Sequence, residues 1–267
     1  MGHQGPSSHP LDPFVCVFFF LPCIHNHNTV LFITALNYLN MGYKGVGKRV
    51  VMGLLNLVAK HYEQVIATDV SEAQLKCGMP HPRVRYLHTS LSMSDDELVS
   101  MIGGENSVDL VTVAQAVHWF DLPRFYSIVT RLLRQPGGAL AVWCYNDIEV
   151  SPTFDPVMKR FHDTTIPFWN PSIQHVFDGY RTLAFPFESI GLGSEGKPLP
   201  LDIPKELSFH GFLGMLRSWS AVPTAKERGV DLLPEAVVKE FESAWGGSEL
   251  VRSVIYKAFM LAGTVKN

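Results

Sequence analysis

Residues 65–75, which read V-I-A-T-D-V-S-E-A-Q-L, constrain the fold of this chain more than any other stretch. A short apolar run leads into Asp69, and Ser71 and Gln74 then have the spacing of a capping box, which begins a helix. The segment therefore predicts a buried strand that ends in an acid and is followed at once by a helix. In nucleotide-type α/β folds, a carboxylate in this position accepts hydrogen bonds from a ribose diol. A simple turn residue would fit the same pattern, so the rest of the chain has to separate the two interpretations.

Predicted strands and helices alternate regularly after this segment. Continuous apolar runs predict further strands at residues 84–88, 108–113 and 139–143. Capping signals predict the helices between them: Ser94 and Glu97 form a second capping box, and Asp121 is the N-cap of a helix that runs to Arg134. Apolar strands that alternate with helices are typical of a parallel sheet covered on both faces. The sequence therefore predicts a doubly wound, mostly parallel α/β sheet.

The last part of the chain, residues 151–267, is less regular. Apolar residues recur there at helical spacing, and such stripes face a core more often than they face a cofactor; they are Phe154, Val157, Met158 and Phe161, then Phe209, Phe212, Leu213 and Leu216, then Val237, Val238 and Phe241. Residues 166–187 are rich in proline and aromatic side chains, which suits a helical and aromatic cap over a substrate. Residues 251–265 alternate loosely, which favours a final strand without excluding a helix. We therefore expect this part to supply a substrate cap and the C-terminal strands of the sheet.

The first 44 residues differ in composition from the rest, and we treat residues 1–44 as an atypical N-terminal segment. Their two apolar runs are shorter than the roughly 18–20 residues that span a bilayer. The first ten residues carry no lysine or arginine, so they are a poor match to a signal peptide. Cys23, His25 and His27 have no fourth ligand nearby, so we predict no metal site.

Charge and cysteine usage exclude several classes of function. The net charge is −3, and the 22 basic residues form no run, which argues against a nucleic-acid surface. The four cysteines show no C-x-x-C spacing, so neither a disulfide framework nor a zinc ribbon is indicated. We expect a reduced, cytoplasmic protein with a small-molecule substrate and no membrane or nucleic-acid partner. The sequence leaves its oligomeric state open.

The order of these segments resembles a known family. The run at residues 65–75 is followed by V-R-Y-L-H-T-S-L, then S-V-D-L-V-T-V-A-Q-A-V-H-W-F-D, then L-L-R-Q-P-G-G-A-L-A-V-W. Together they resemble the class I S-adenosylmethionine-dependent methyltransferases, and more narrowly the plant and fungal group similar to trans-aconitate methyltransferases. The likeness extends from residue 58 to the C-terminus, and A-Q-A-V-H-W-F-D is its most specific part.

The resemblance implies a cofactor, S-adenosyl-L-methionine, and a set of residues that bind it. Asp69 matches the acid that binds the ribose hydroxyls, and Ser90 follows the strand beside which the adenine is held. The full cofactor-binding set that it implies is Gly45, Gly47, Asp69, Ser90, Ala114, Gln115 and Ala116. The candidates for binding the methyl acceptor are His118, Trp119, Arg217 and Trp219. We divide the chain accordingly into the segment 1–44, a cofactor-binding core at 45–150 and a cap with C-terminal strands at 151–267.

The glycine loop of the family is the point where this sequence departs from it. The family has a first strand that ends in D-x-G-x-G-x-G, because glycine lets the backbone approach the cofactor closely. Here Gly45-Val46-Gly47 is a remnant, no acid precedes it, and no clean apolar strand leads into it. We therefore expect the sheet to lack a normal first strand, and the chain to fold poorly or to bind the cofactor weakly. A shifted reading frame, a misjoined exon or an inactive paralogue would each explain the pattern.

The reaction that the resemblance implies is transfer of the sulfonium methyl to a small nucleophile such as a carboxylate oxygen. A carboxylate with a pKa of about 4 is already ionised at pH 7, so we expect no catalytic acid–base residue. Two alternatives stay open at this stage. The chain could be a binding protein that keeps the fold without the activity. It could also be a nucleotide-dependent oxidoreductase, because Gly45 and Gly47 precede Asp69 at a tolerable spacing.

Overall fold

The computed structural model describes residues 29–34, 58–70, 72–76 and 78–266 of the 267 residues. The strands in chain order are β1 (Thr29–Thr34), β2 (Gln64–Asp69), β3 (Val84–His88), β4 (Leu110–Ala114), β5 (Ala139–Glu149), β6 (Glu188–Ser189), β7 (Leu199–Ser208) and β8 (Val251–Thr264). The helices are α1 (Glu72–Leu75), α2 (Asp95–Ile102), α3 (Leu122–Leu132), α4 (Asp155–Thr165), α5 (Gln174–Phe177), α6 (Phe209–Ser218), α7 (Ala221–Glu227) and α8 (Glu235–Trp245). Short 3₁₀ turns lie at Val117–Trp119, Ile166–Phe168 and Pro171–Ile173.

The eight strands of the described residues belong to one sheet with the order β3-β2-β1-β4-β5-β8-β6. Strand β7 also pairs with β8, along a different part of its length from β6. The first five strands in this order are parallel, whereas β8 runs antiparallel to β5, β6 and β7. Every residue of β4 is buried, as expected of a strand covered on both faces. The prediction of a doubly wound, mostly parallel sheet is confirmed.

The first strand comes from a part of the chain where the sequence analysis did not expect it. Residues 29–34 were assigned to the atypical segment 1–44, yet β1 lies in the centre of the sheet between β2 and β4. Its Val30 pairs with Val65 on one side and with Leu110 on the other, and the described side chains Val30 and Leu31 are buried. The expectation that the sheet lacks a first strand was therefore wrong. The run T-V-L-F-I-T is rich in β-branched and aromatic residues, which favour a strand, but it is distant from the glycine remnant where that strand was sought.

A buried carboxylate joins β1 to the rest of the sheet. Asp109, which immediately precedes β4, accepts a hydrogen bond from the backbone N–H of Thr29 at 2.9 Å. Its other carboxylate oxygen lies 2.9 Å from the guanidinium of Arg134. The backbone of Asp109 also donates to Thr29 and accepts from Ala139. Asp109 thus connects the starts of three neighbouring strands, and together with burial its charge raises the pKa of nearby Tyr62 to about 12.

The capping signals at Ser94 and Asp121 are borne out, with one difference at a helix end, whereas Ser71 of the first predicted capping box lies outside the described residues. Ser94 and Glu97 form the reciprocal capping box that begins α2. Asp121 caps α3 by accepting a hydrogen bond from the N–H of Arg124. Helix α3 ends at Leu132 instead of Arg134, because Leu133 is extended and the N–H of Arg134 donates to Val108 next to β4. The helix therefore ends two residues before Arg134, and the backbone of Leu133 and Arg134 pairs with that of Val108.

The C-terminal part packs around its own apolar cluster. The three apolar stripes lie on or beside α4, α6 and α8, and their buried rings meet in edge-to-face contacts among Phe154, Phe161, Phe212, Phe241 and Trp245. The final segment is strand β8, which decides between the two possibilities that the sequence left open. Strand β7 was not predicted. Its prolines, Pro200 and Pro204, suit a strand at the edge of a sheet, where a missing N–H costs little.

We predict that Asp109→Ala lowers the free energy of unfolding by about 2–4 kcal/mol, because it removes two hydrogen bonds to a charged, buried carboxylate. Urea denaturation monitored by circular dichroism measures the change. The matched control is Glu240→Ala, which removes the partner of Arg160 from an exposed ion pair and should cost no more than about 1 kcal/mol. Equal losses in the two variants would show that Asp109 has no special role in holding β1.

Candidate functional site

Five of the residues predicted to bind the cofactor lie at or just after the carboxyl ends of strands β2, β3 and β4. Asp69 is the last residue of β2, and Ala114 is the last residue of β4. Strand β1 lies between them in parallel register, with Ile33 beside Thr68 and Thr34 beside Ala114. Adjacent strands are about 4.8 Å apart, so the two strand ends are separated by about 10 Å. Asp69 and Ala114 therefore flank the first strand at one edge of the sheet, and this edge is where ligands of open α/β sheets bind.

Asp69 is a buried carboxylate with the loop after β3 held beside it. Only 3% of the residue is exposed. Its backbone carbonyl accepts a hydrogen bond from the N–H of Thr89 at 3.1 Å, which places Ser90 next to the end of β2. The Ser90 hydroxyl bonds with that of Ser92 at 2.8 Å, and both line an open groove with Met93. A charged group and a polar loop are thus adjacent at this end of the sheet.

Gln115 follows β4 in a conformation that side chains rarely adopt. Its φ angle is +57°, in the left-handed region that costs a non-glycine residue about 1–3 kcal/mol and that is common at functional sites. Its Oε1 accepts a hydrogen bond from the Cys144 thiol at 2.7 Å. Its Nε2 is buried and has no hydrogen-bond partner among the residues that the structure describes. A buried amide N–H of this kind can donate to carboxylate or hydroxyl oxygens of a bound cofactor, whereas the carboxylate of Asp69 can accept from its hydroxyl groups.

His118 and Trp119 lie in the 3₁₀ turn that follows Ala116. Their rings are in contact, with centroids 4.6 Å apart, and only 6% of His118 is exposed. The Nδ1 atom of His118 lies 3.2 Å from the hydroxyl of Tyr180. Burial, followed by the charge of His175, lowers the pKa of His118 to about 4. The imidazole is therefore neutral near pH 7, and it can donate or accept a hydrogen bond without carrying charge.

Two partners of these residues were missed by the sequence analysis. Tyr180 comes from the stretch 166–187, and Cys144 comes from β5. Both are fully buried, and burial raises the pKa of Cys144 to about 12 and that of Tyr180 well above its ordinary value. Neither residue belongs to a recognisable motif, because their significance comes from contact with Gln115 and His118 in the folded chain. Within the sequence, His118 and Tyr180 are 62 positions apart.

The structure places Trp219 in a separate aromatic cluster. Its ring lies 5.6 Å from Trp169, 6.0 Å from His162 and 6.1 Å from Phe161, measured between centroids. Arg217 lies two residues earlier, half-buried in the last turn of α6. These side chains join α4, α6 and the stretch 166–187 into one surface. The apolar stripes therefore do contribute to the core, and Trp219 contacts their rim.

Helix α5 connects this aromatic cluster to the strand ends. Its Phe177 ring lies 4.9 Å from His162, and the carbonyl of Val176 accepts a hydrogen bond from Asn146 at the bulge of β5. Burial lowers the pKa of His162. Partial loss of solvent around its carboxylate raises the pKa of Asp147, although part of this residue is exposed. No motif in the sequence indicated that these polar groups, on β5 and α4, would lie close together.

The glycine remnant, metal ligands and membrane-spanning helices can be assessed only within the residues that the structure describes. Gly45 and Gly47 lie outside the residues that the structure describes. Within residues 29–34, 58–70, 72–76 and 78–266, no group of three potential metal ligands comes together. In the same part of the chain, no helix has both the length and the apolar character needed to cross a membrane.

Comparison with known proteins identifies what this arrangement is similar to. Residues 45–142 match a family model described as a methyltransferase domain. A protein of Dictyostelium discoideum named as a methyltransferase is 29% identical over 212 residues, which cover 76% of this chain and 75% of that protein. A solved structure from Anaeromyxobacter dehalogenans, named as a type II methyltransferase, is 30% identical with a TM-score of 0.71; the match covers 95% of this chain and 97% of that one. A shorter match of 91 residues, 33% identical, is to a Saccharomyces cerevisiae protein named as a probable S-adenosylmethionine-dependent methyltransferase; it covers 33% of this chain and 31% of that protein.

We predict that His118 makes the fold sensitive to acid. Its pKa is about 4 in the folded chain and about 6.5 in the unfolded chain, so the unfolded state binds more protons between these values. Stability is therefore complete above about pH 6.5 and falls as the pH approaches 4, by roughly 2–3 kcal/mol at pH 4.5. The variant His118→Asn should lose that much less stability between pH 7.5 and pH 4.5 in urea denaturation. A variant of the exposed His210 to asparagine is the control, and it should follow the wild type.

Proposed function

Because the chain belongs to the class I S-adenosylmethionine-dependent methyltransferases, we propose that it methylates an oxygen of a small carboxylic acid. The observation that carries the proposal is the arrangement of Asp69 and Gln115 on either side of β1, at the carboxyl edge of the sheet. That edge offers a buried carboxylate and a buried, unbonded amide N–H within the described residues. The nucleotide-dependent oxidoreductase is excluded by the family to which the chain belongs.

Within this proposal, the ribose, the adenine and the methionine end of the cofactor each bind at the end of a different strand. The Asp69 carboxylate accepts hydrogen bonds from the ribose hydroxyls, which is supported by its burial at the end of β2. Ser90 borders the adenine, supported by its place beside Asp69. The methionine end is proposed to follow the backbone just after β4, at Ala114, Gln115 and Ala116. The glycine remnant Gly45-Val46-Gly47 is proposed to complete the site. When bound, the cofactor supplies an electrophilic methyl group on a sulfonium.

The acceptor is proposed to enter from the side of His118 and Trp119. A carboxylate is already ionised at pH 7, so the protein does not need to remove a proton from it. This agrees with His118, whose low pKa makes it a weak base. Arg217 is proposed to hold the acid, because a guanidinium can form two parallel hydrogen bonds with a carboxylate. Trp219 would supply an apolar wall next to it.

Rate enhancement in such a site would come from orientation and from exclusion of water. Fixing two reactants in an attack geometry can supply a large part of the barrier reduction. The described side chains around His118 are buried, and residues 166–187 contribute Tyr180 directly to them. We therefore propose that residues 151–267 form the cap and the C-terminal strands that complete the sheet of the core at 45–150, with β1 added to that core. Removing water would strengthen the interaction between the acceptor anion and its partners.

The finer assignments are also proposals. The motif A-Q-A-V-H-W-F-D supports placement near the trans-aconitate methyltransferase-like group. The cysteine pattern supports a cytoplasmic location, and the net charge supports a small molecule as the partner in place of a nucleic acid. A binding protein that keeps the fold without the activity remains the second candidate, because the glycine loop departs from the family pattern. Saturable cofactor binding with no turnover on any acceptor would favour it.

We predict that Asp69→Ala weakens binding of S-adenosylhomocysteine by about 10- to 150-fold, since charge-assisted hydrogen bonds contribute roughly 1.5–3 kcal/mol. Isothermal titration calorimetry measures the Kd. The control is Glu72→Ala, which removes an exposed carboxylate three residues later in α1. The control should bind as the wild type does. Unchanged binding in Asp69→Ala would remove this residue from the cofactor site.

The acceptor class is tested with purified protein and S-adenosylmethionine that carries a labelled methyl group. A panel of small di- and tricarboxylic acids is compared with matched alcohols and amines, and release of labelled methanol by alkali identifies a methyl ester. We predict ester formation on an acid, with KM raised about 10- to 150-fold in Arg217→Ala because the ionic hydrogen bonds are lost. Arg160→Ala is the control at an exposed ion pair and should leave KM unchanged. Turnover of alcohols or amines alone would contradict the proposal.

A further inference from the structure

Gln115 is held by two consecutive residues of β5. Its backbone N–H donates to the carbonyl of Trp143 at 3.1 Å, and its side-chain Oε1 accepts a hydrogen bond from the Cys144 thiol at 2.7 Å. Cys144 is fully buried, so water does not compete for the thiol proton. A second acceptor near that proton, the carbonyl of Tyr145, is farther from the sulfur at 3.5 Å. The thiol therefore holds the oxygen end of the Gln115 amide.

A hydrogen bond at the oxygen end fixes the direction of the nitrogen end, because the carboxamide group of Gln115 is planar. Its two N–H donors are on Nε2, which is buried and has no hydrogen-bond partner among the residues that the structure describes. A reversed amide would replace the bond between the thiol and the oxygen by one to sulfur, which is a weak acceptor. The orientation in the structure thus satisfies the oxygen and leaves an N–H donor for a ligand.

The ligand group that matches Nε2 must be an acceptor, since a buried N–H without a partner costs free energy. The methionine end of S-adenosylmethionine carries an ammonium, which only donates, and a carboxylate, which only accepts. Gln115 immediately follows β4, and its φ angle of +57° is of a kind that is common at functional sites. Of the two groups, the carboxylate is therefore the one that fits this amide.

We propose that Cys144 is a positioning residue, which orients the Gln115 amide so that Nε2 donates to the carboxylate of the bound cofactor. The proposal rests on the proposed function in one respect, which is that the methionine end lies at residues 114–116. Cys144 acts through Gln115 and needs no contact with the cofactor. With Asp69 on the ribose and Gln115 on the carboxylate, the ends of β2 and β4 fix the position of the sulfonium between them.

The test uses two ligands that differ in the carboxylate alone, S-adenosylhomocysteine and its decarboxylated form, which keeps the adenosine and the ammonium. Calorimetry measures the Kd of each. Gln115→Met should weaken binding of S-adenosylhomocysteine by about 10- to 150-fold, the effect of a hydrogen bond to a charged group, and leave binding of the decarboxylated form unchanged. Cys144→Ala should weaken binding of the first ligand by roughly 2- to 12-fold and spare the second. Cys144→Ser keeps a donor and should bind both ligands as the wild type does.

Val142→Ala is the matched control, because Val142 is a fully buried residue of β5 in the same apolar cluster as Cys144. This variant should lower stability and leave the ratio of the two Kd values unchanged. If Cys144→Ala fails to fold, Cys144→Val takes its place, since valine suits a buried strand and carries no donor. The same selective loss is expected of it.

A double-mutant cycle shows whether the thiol acts through the amide. In the Gln115→Met background, Cys144→Ala should have no further effect on the ratio of the two Kd values. Asp69→Ala should weaken both ligands equally, so an error in the placement of the cofactor is seen separately from an error about the thiol. A wild-type ratio in Gln115→Met, or equal ratios in Cys144→Ala and Cys144→Ser, would overturn the proposal. These measurements need no methyl acceptor, so they stand whether or not a carboxylic acid is the substrate.

Discussion

The sheet depends on the buried carboxylate of Asp109, because it fixes the strand on which both halves of the site are built. Asp109 accepts from the N–H of Thr29, pairs with Arg134 and exchanges backbone hydrogen bonds with its neighbours. These contacts hold the start of β1 beside β4, and β1 pairs in parallel with β4 on one side and with β2 on the other. A central strand in parallel register brings the carboxyl ends of its neighbours to the same edge. Asp69 and Ala114 are therefore separated by the width of β1.

The chemistry of this edge follows from what is buried there. Asp69 keeps a carboxylate at the end of β2, while Gln115 adopts a strained backbone conformation with an amide N–H that no described residue bonds. The unbonded amide N–H of Gln115 costs stability, and a molecule that offers a carboxylate or hydroxyl oxygen would satisfy it. Methyl transfer from a sulfonium requires little proton movement when the acceptor is an anion. A site made of fixed dipoles and a neutral histidine is consistent with that requirement.

The stretch 166–187 and its neighbours make direct contacts near the ends of the strands. Tyr180 contacts His118, and Val176 of α5 accepts a hydrogen bond from Asn146 at the bulge of β5. The ring of Trp219 lies close to those of Trp169 and His162, so α4, the end of α6 and the stretch 166–187 are packed together. A change in any of these contacts would alter the surroundings of His118, even though the residues involved are far apart in sequence.

The sequence alone determined the strands β2 to β5, the capped helices α2 and α3, and the residues at the ends of β2 and β4. These features are encoded locally, because apolar runs, capping boxes and acids after strands are patterns of contiguous residues. Only the tertiary structure showed that residues 29–34 supply the central strand, since a short apolar run does not specify its partners. It also brought together Gln115, His118, Cys144 and Tyr180, and it joined Asp109 to Thr29 across 80 positions. Such contacts arise from chain packing, and no local pattern records them.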